Sequence, residues 1–145
     1  MSIKYFTAEE AVALVKSGQR IFFQGAAMTP TTIIDALCER YSELEDVEIV
    51  QLHTEGNAKY SQQPYENAFK INSCFVGGNV RKAVNASKGD YIPIFLSEIH
   101  QLFRRNILPL DVAFIQVSPP DKHGYCSLGT SIDVTISAIE TAKIV

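Results

Sequence analysis

The sequence predicts an α/β domain with a mostly parallel sheet and helices on both faces. Short apolar stretches alternate along the chain with segments whose apolar residues recur at helical spacing. The stretches are apolar at consecutive positions, as in 112–115, which is typical of strands that are buried on both faces. The chain has 145 residues, 46% of them apolar and 20% charged, which fits one globular domain over 1–145.

The first half of the chain predicts two helices and two strands. Thr7 and Glu10 have the spacing of a capping box, and Gly18 can end the helix that follows. The second helix begins at Pro30, where the first helical turn tolerates proline. The predicted strands are 20–25 and 47–52, and the apolar helix positions are Ala11, Leu14 and Val15, then Ile33, Ile34, Leu37 and Tyr41. A polar segment at 53–68 has no period, and a loop that long is often functional.

The second half predicts a third strand at 71–76, a helix at 80–86 and a turn at 87–90. Residues 91–95 resemble a strand, but Pro93 restricts it to an edge position or a bulge. Ser97 is the predicted cap of the next helix, and 111–117 is the clearest strand, which we expect at the centre of the sheet. The remaining predicted positions are the helix residues Ile99, Leu102 and Phe103, the last-helix residues Ile132, Ile136 and Ile139, and a strand that starts at 142–145.

Charge and cysteine content exclude several classes of function. A net charge of −3 and a pI near 5.6 give no electrostatic reason to expect nucleic acid or an anionic membrane as a partner. No apolar run approaches the roughly 20 residues of a membrane span, and no secretion signal precedes the first helix. Three scattered cysteines form no disulfide framework, so we expect a cytoplasmic protein.

Ligands of parallel sheets bind beyond the carboxyl ends of the strands, so the loops after the strands are the candidate site. These loops are 24–30, 53–56, 77–81 and 118–129. Their glycines would let a ligand or another backbone approach closely, although glycines also serve simply to make turns.

Several side chains in these loops could carry chemistry. Asp121, His123 and Cys126 suggest a Cys–His nucleophile or a metal site, but the spacing matches no zinc pattern. A turn histidine and a buried small cysteine are the simpler interpretation. Glu55 and Asp121 could act as general acid and base, or could be solvated loop carboxylates. Gly77-Gly78 followed by Arg81 could hold a phosphate, but it lacks the dinucleotide and Walker patterns.

One segment is more specific. Ser118-Pro119-Pro120-Asp121, followed by Gly124, Ser127 and Gly129, closely resembles the S-P-P-D-x-x-G-x-x-S-x-G segment of the 4-hydroxybutyrate CoA-transferase/acetyl-CoA hydrolase family. Segments 11–18, 91–98 and 138–145 occur in the same order as in that family, so the resemblance covers nearly the whole chain. It implies a CoA-transferase-like fold.

The resemblance also implies a reaction, the exchange of CoA between an acyl-CoA thioester and a short-chain carboxylic acid. A glutamate carboxylate attacks the thioester, and a glutamyl–CoA thioester forms as an intermediate. In the family this glutamate belongs to a C-terminal domain, so it is expected beyond Val145. No catalytic residue is then expected in this chain, and the chain alone is predicted to be inactive. The coenzyme A thioester is a substrate, and no permanent cofactor or metal is expected.

We expect this domain to line the acyl pocket. The predicted substrate-binding residues lie in all four loops and are Gln24, Gly25, Ala26, His53, Gly77, Gly78, Ser118, His123 and Gly124. The expected partners are an acyl-CoA, a carboxylic acid, the C-terminal domain and further copies of the protein in a homo-oligomer. The alternatives are an acetyl-CoA hydrolase on the same scaffold, a non-catalytic α/β binding module, and a hydrolase that uses Cys126 and His123.

Overall fold

All five strands of the sheet run parallel, in the order β4-β3-β2-β1-β5. The structure is a computed structural model, and it describes residues 4–145. The strands are β1 (Arg20–Phe23), β2 (Val47–Gln51), β3 (Phe69–Ser73), β4 (Gly89–Tyr91) and β5 (Val112–Phe114). The predicted α/β fold with a parallel sheet is therefore confirmed.

Helices cover both faces of this sheet. They are α1 (Ala8–Val12), α2 (Thr31–Glu39), α3 (Arg81–Asn85), α4 (Ile99–Arg104) and α5 (Thr135–Thr141), with 3-10 turns at Lys59–Ser61, Tyr65–Asn67 and Leu96–Glu98. Alternate residues of a strand point to opposite faces, so Ile21 and Phe23 of β1 join the core under α1, α2 and α3. Phe22 joins the core under α4 and α5. In residues 4–145, no helix is long and apolar enough to cross a membrane.

The capping box of α1 is confirmed. The Glu10 amide donates to the Thr7 hydroxyl over 3.2 Å, and the Thr7 amide donates to the Glu10 carboxylate over 2.8 Å. The predicted apolar stripe was partly wrong, because the helix ends at Val12 and leaves Leu14 52% exposed. Val12 and Val15 are the buried residues at this end of the chain.

The predicted boundaries of three strands need correction. β3 starts at Phe69, and β4 occupies the predicted turn, so only Tyr91 of the strand-like 91–95 belongs to it. The edge position of β4 is confirmed. β5 has three residues and lies at the other edge of the sheet, so the prediction of a long central strand was wrong. The apolar run at 111–117 predicted too long a strand, because the residues after Phe114 leave the sheet.

Two predictions about helices were also wrong. Ser97 does not cap α4, because it lies inside the 3-10 turn that precedes the helix. Ile136 of α5 is 46% exposed, and the helix reaches the core through Val134 and Ala138 instead. The polar segment 53–68 contains two 3-10 turns, which place Tyr60 in the core.

The outer edge of β5 is partly paired. Ile144 forms a parallel bridge to Val112, and its amide donates to the Asp111 carbonyl over 3.0 Å, as expected for a strand that starts here. Burial raises the pKa of the Asp111 carboxyl, but hydrogen bonds from Lys143 and from the Arg20 amide outweigh burial. The net pKa therefore lies below the ordinary value.

Candidate functional site

The loops after β1 and β2 lie against each other at the carboxyl edge of the sheet. A side chain at Gly25 would place its Cβ 2.5 Å from the His53 carbonyl oxygen, so only glycine fits there without a shift of the backbone. The next amide, that of Ala26, donates to the same carbonyl over 3.0 Å. Ala26 and Thr54 also form an isolated parallel bridge, so the pairing continues past the ends of both strands.

The loop after β3 is tied to the loop after β2 through Asn79. Its side-chain amide donates to the Thr54 carbonyl over 2.8 Å and to the Gly56 carbonyl over 3.1 Å. A Cβ at Gly77 would lie 3.8 Å from the His53 Cβ, so this loop also lies close to His53. Gly78 has open space around it.

A buried polar cluster supports the loop after β2 from below. The Thr54 hydroxyl lies 2.7 Å from the Tyr60 hydroxyl and 3.1 Å from the Gln51 side-chain oxygen. Tyr60 also donates to Gln51, whose side-chain amide donates to the Ser73 hydroxyl over 3.1 Å. Burial raises the pKa of Tyr60, so the phenol stays protonated and keeps its hydrogen bond.

The loop after β5 is held by one side chain from the end of β1. Gln24 is fully buried, and its amide nitrogen donates to the Leu128 and Ser131 carbonyls over 3.2 and 2.9 Å. Its amide oxygen accepts from the Gln116 amide over 2.8 Å. Gln24 therefore joins the residue before the loop to residues at its far end.

Within this loop the backbone folds back on itself. The Ser118 hydroxyl accepts from the Ser127 amide over 2.9 Å, and the Ser118 amide donates to the Ser127 carbonyl over 2.9 Å. The Asp121 carboxylate accepts from the His123 and Tyr125 amides over 2.8 and 2.9 Å. Gly124 has a φ of 86°, which favours glycine. The four predicted loops thus form one continuous rim, and we call these contacting loops the carboxyl rim.

The nucleophilic side chains are not arranged for catalysis. His123 and Cys126 are both exposed, and no hydrogen bond joins their side chains within the part of the chain that the structure describes. Burial raises the pKa of the Cys74 thiol to about 11 and that of Cys38 to about 12, so both are neutral near pH 7. Across residues 4–145, no group of His, Cys, Asp and Glu side chains could hold a metal ion.

An apolar cavity of about 460 Å³ opens next to His53. Its floor is buried and consists of Leu52, Cys74 and Ile99. The His53 ring meets the Phe75 ring edge-on at 5.7 Å between centroids. The remaining lining residues are Tyr91, Ile94, Leu96 and Asp133.

The sequence predicted that glycines in the four loops allow a close approach, and the structure shows one between Gly25 and the His53 backbone, but the sequence missed what holds the loops together. Gln24 was predicted to bind substrate, and the structure shows its amide bonded to the loop after β5. Glu55 is exposed, and the Asp121 carboxylate is engaged within its own turn. The buried cluster of Gln51, Thr54 and Tyr60 had no signal in the sequence, because it joins a strand to an aperiodic segment.

Comparisons with known proteins agree on one family. Residues 2–145 match the acetyl-CoA hydrolase/transferase N-terminal domain. The chain is 46% identical over 92% of its length to a succinyl-CoA:acetate/propanoyl-CoA:succinate CoA transferase from Fasciola hepatica. It is 42% identical over 98% of its length to a 4-hydroxybutyrate coenzyme A transferase from Clostridium kluyveri. It spans 28% and 33% of the lengths of these two relatives.

Solved structures share the fold. RipA from Yersinia pestis is similar with a TM-score of 0.86 and 25% identity, over 95% of this chain and 34% of that one. A 4-hydroxybutyrate CoA-transferase from Porphyromonas gingivalis is similar with a TM-score of 0.75 and 28% identity, over 94% of this chain and 30% of that one.

Proposed function

The chain belongs to the acetyl-CoA hydrolase/transferase family as its N-terminal domain, and from that premise we propose that it forms one wall of a CoA-transferase active site. The whole protein would transfer CoA from an acyl-CoA to a carboxylic acid. The catalytic glutamate would lie in a C-terminal domain, so residues 1–145 alone would have no activity. The protein would work in the cytoplasm as a homo-oligomer.

The observation that carries this proposal is the carboxyl rim. Loops from four strands contact one another there, and the close approach of Gly25 to the His53 carbonyl joins the loops after β1 and β2 through their backbones. A fixed backbone surface at the carboxyl edge is suited to hold a substrate against a second domain.

The transfer of CoA between two carboxylic acids is divided into several nucleophilic attacks, and each attack releases a carboxylate or a thiolate. The glutamate carboxylate attacks the acyl carbon of the thioester, which releases CoA thiolate and leaves an acyl–glutamyl anhydride. The thiolate then attacks the glutamyl carbonyl, which releases the first carboxylic acid as its anion and leaves glutamyl–CoA. The acceptor carboxylate then attacks the glutamyl carbonyl of glutamyl–CoA, which releases CoA thiolate and leaves a second anhydride. The thiolate attacks the acyl carbon of that anhydride, which forms the new acyl-CoA and restores the glutamate carboxylate.

The roles of this chain's residues in that reaction are steric and positional. Gly25, Ala26, Gly77 and Gly78 would form the flat wall opposite the glutamate, with His53 as the polar contact above it. Ser118, His123 and Gly124 would approach the substrate from the loop after β5. Gln24 would act through that loop, because its own polar atoms are already bonded.

The test is to locate the covalent intermediate. The whole protein is incubated with acetyl-CoA, the glutamyl–CoA adduct is detected by intact mass, and borohydride traps it for peptide mapping. We expect the modified glutamate to lie beyond Val145. An adduct on Cys126 or on a serine of this chain would contradict the glutamate mechanism, and transfer to water alone would identify a hydrolase.

A further inference from the structure

The lining of the cavity beside His53 includes none of Gly25, Ala26, Gly77 and Gly78, although the cavity shares His53 with the carboxyl rim. Its volume of about 460 Å³ lies in the range of small-molecule sites. Since a water molecule occupies about 30 Å³ in the liquid, the cavity has room for about fifteen heavy atoms. An acetyl group would leave most of this space empty.

The lining of the cavity selects for hydrocarbon. Leu52, Cys74 and Ile99 are each at most 5% exposed and form a floor that offers a ligand no charged group. The thiol of Cys74 is neutral because burial raises its pKa to about 11. A methylene chain would lose no hydrogen bond on entering this floor, whereas a carboxylate would lose its hydration.

The residues around the mouth of the cavity are apolar as well, and they are exposed to solvent. Phe75, Tyr91 and Leu96 are 59%, 51% and 66% exposed, so a bound hydrocarbon chain would cover apolar surface that water now contacts. Asp133 is the carboxylate in the lining, and among residues 4–145 no lysine or arginine lines the cavity. A second carboxylate on the substrate would therefore meet Asp133 with no lysine or arginine of these residues beside it.

We propose that this cavity binds the hydrocarbon tail of the acyl group or of the acceptor acid, and that it favours monocarboxylic acids with a longer hydrocarbon chain, such as hexanoate and octanoate, over acetate and over dicarboxylic acids. The inference rests on the proposed function, because the carboxyl end of the chain must reach the carboxyl rim at His53. The cavity supplies a place for the tail next to that point. The flat wall contacts the reacting end, and the cavity recognises the rest.

The experiment measures kcat/KM of the whole protein with acetyl-CoA as donor and with acetate, butyrate, hexanoate, octanoate and succinate as acceptors. We expect kcat/KM to rise about fourfold for each added methylene until the cavity is full, which corresponds to the transfer free energy of one CH₂ group. Succinate should fall below butyrate. A series that is flat or falling from acetate to hexanoate would overturn the inference.

Substitutions that fill the cavity complete the test. Two variants are made, Ile94→Trp and, at the exposed mouth of the cavity, Leu96→Trp. Each should lower kcat/KM for hexanoate about tenfold or more and change kcat/KM for acetate less than twofold. Ile107→Trp is the matched control, because Ile107 is 63% exposed and does not line the cavity. Equal losses for acetate and hexanoate would contradict a tail-binding role.

A binding measurement separates this inference from the proposed function. Saturation-transfer NMR of the hexanoate methyl group reports contact without turnover. If the wild type transfers CoA to none of the acids, the transferase proposal is refuted. A methyl signal that is present in the wild type and abolished by Ile94→Trp would still support binding of the hydrocarbon tail in the cavity. A methyl signal of equal strength in wild type and variant would refute the cavity.

Discussion

Replacement of Gly25 by alanine tests whether backbone contact holds the carboxyl rim together. The new Cβ would lie 2.5 Å from the His53 carbonyl oxygen, and ordinary contact begins at 3.4 Å, so the two loops must separate by about 0.9 Å. The opposing atom belongs to the backbone and cannot rotate away, in contrast to the end of a flexible side chain. Overpacking of this kind costs about 1–3 kcal/mol.

Activity should fall although the protein stays mostly folded, because a protein with about 5–15 kcal/mol of stability tolerates a loss of this size. A displacement near 1 Å in a positioning element can lower a rate about 100-fold, and here it would move His53 away from the Ala26 amide that donates to its carbonyl. The assay pairs thermal unfolding with kcat/KM for CoA transfer by the whole protein. Gly78→Ala is the matched control for unfolding, because it adds the same methyl group where no atom lies within 4 Å. If the two variants unfold at the same temperature, or if the activity of Gly25→Ala falls only with the folded fraction, backbone contact at Gly25 does not position the site.

Three further results are expected. Iodoacetamide should label the exposed Cys126 before the buried Cys74, as peptide mapping would show, and the reverse order would contradict the placement of these thiols. The folded-state pKa of Asp111 is lowered, so the stability that its carboxylate contributes is present above about pH 4 and is lost as the pH falls through that lower pKa. Asp111→Asn should therefore reduce the acid dependence of the unfolding temperature. An unchanged pH profile would contradict a stabilising contact between Asp111 and Lys143. Tyr60→Phe leaves its buried hydrogen-bond partners unpaired and should lower the free energy of unfolding by about 1–3 kcal/mol. The control Tyr125→Phe, at an exposed tyrosine, should change the free energy of unfolding by almost nothing. Equal changes in the two variants would count against the buried cluster.

The parallel sheet was predictable because Ile21, Phe22 and Phe23 of β1 are apolar at consecutive positions, which reflects burial on both faces. The capping box at Thr7 was predictable because its signal is local and depends on spacing alone. The common position of the four loops was predictable for a topological reason, since the residues that follow parallel strands share one edge of the sheet.

The errors arose where tertiary contacts decide the outcome. The apolar run at 111–117 predicts a long central strand, but pairing to β1 lasts for only three residues. The isoleucines of α5 have helical spacing, yet the smaller Ala138 faces the core and Ile136 faces solvent. Tyr60 lies in a segment without period, and its burial follows from contacts with Phe23 and Gln51, which lie outside that segment and leave no local pattern.

The way in which Gln24 holds the loop after β5 has a consequence for how this domain can diversify. Its hydrogen bonds go only to main-chain groups, the carbonyls of Leu128 and Ser131 and the amide of Gln116. These backbone groups are the same for almost every residue type, with proline at position 116 as the exception. The anchor therefore tolerates new side chains between its attachment points, and mutation can change the chemistry that the loop presents without moving the loop. Gln24 itself cannot be replaced in this way, since no change within the loop can restore the three hydrogen bonds of its buried side-chain amide.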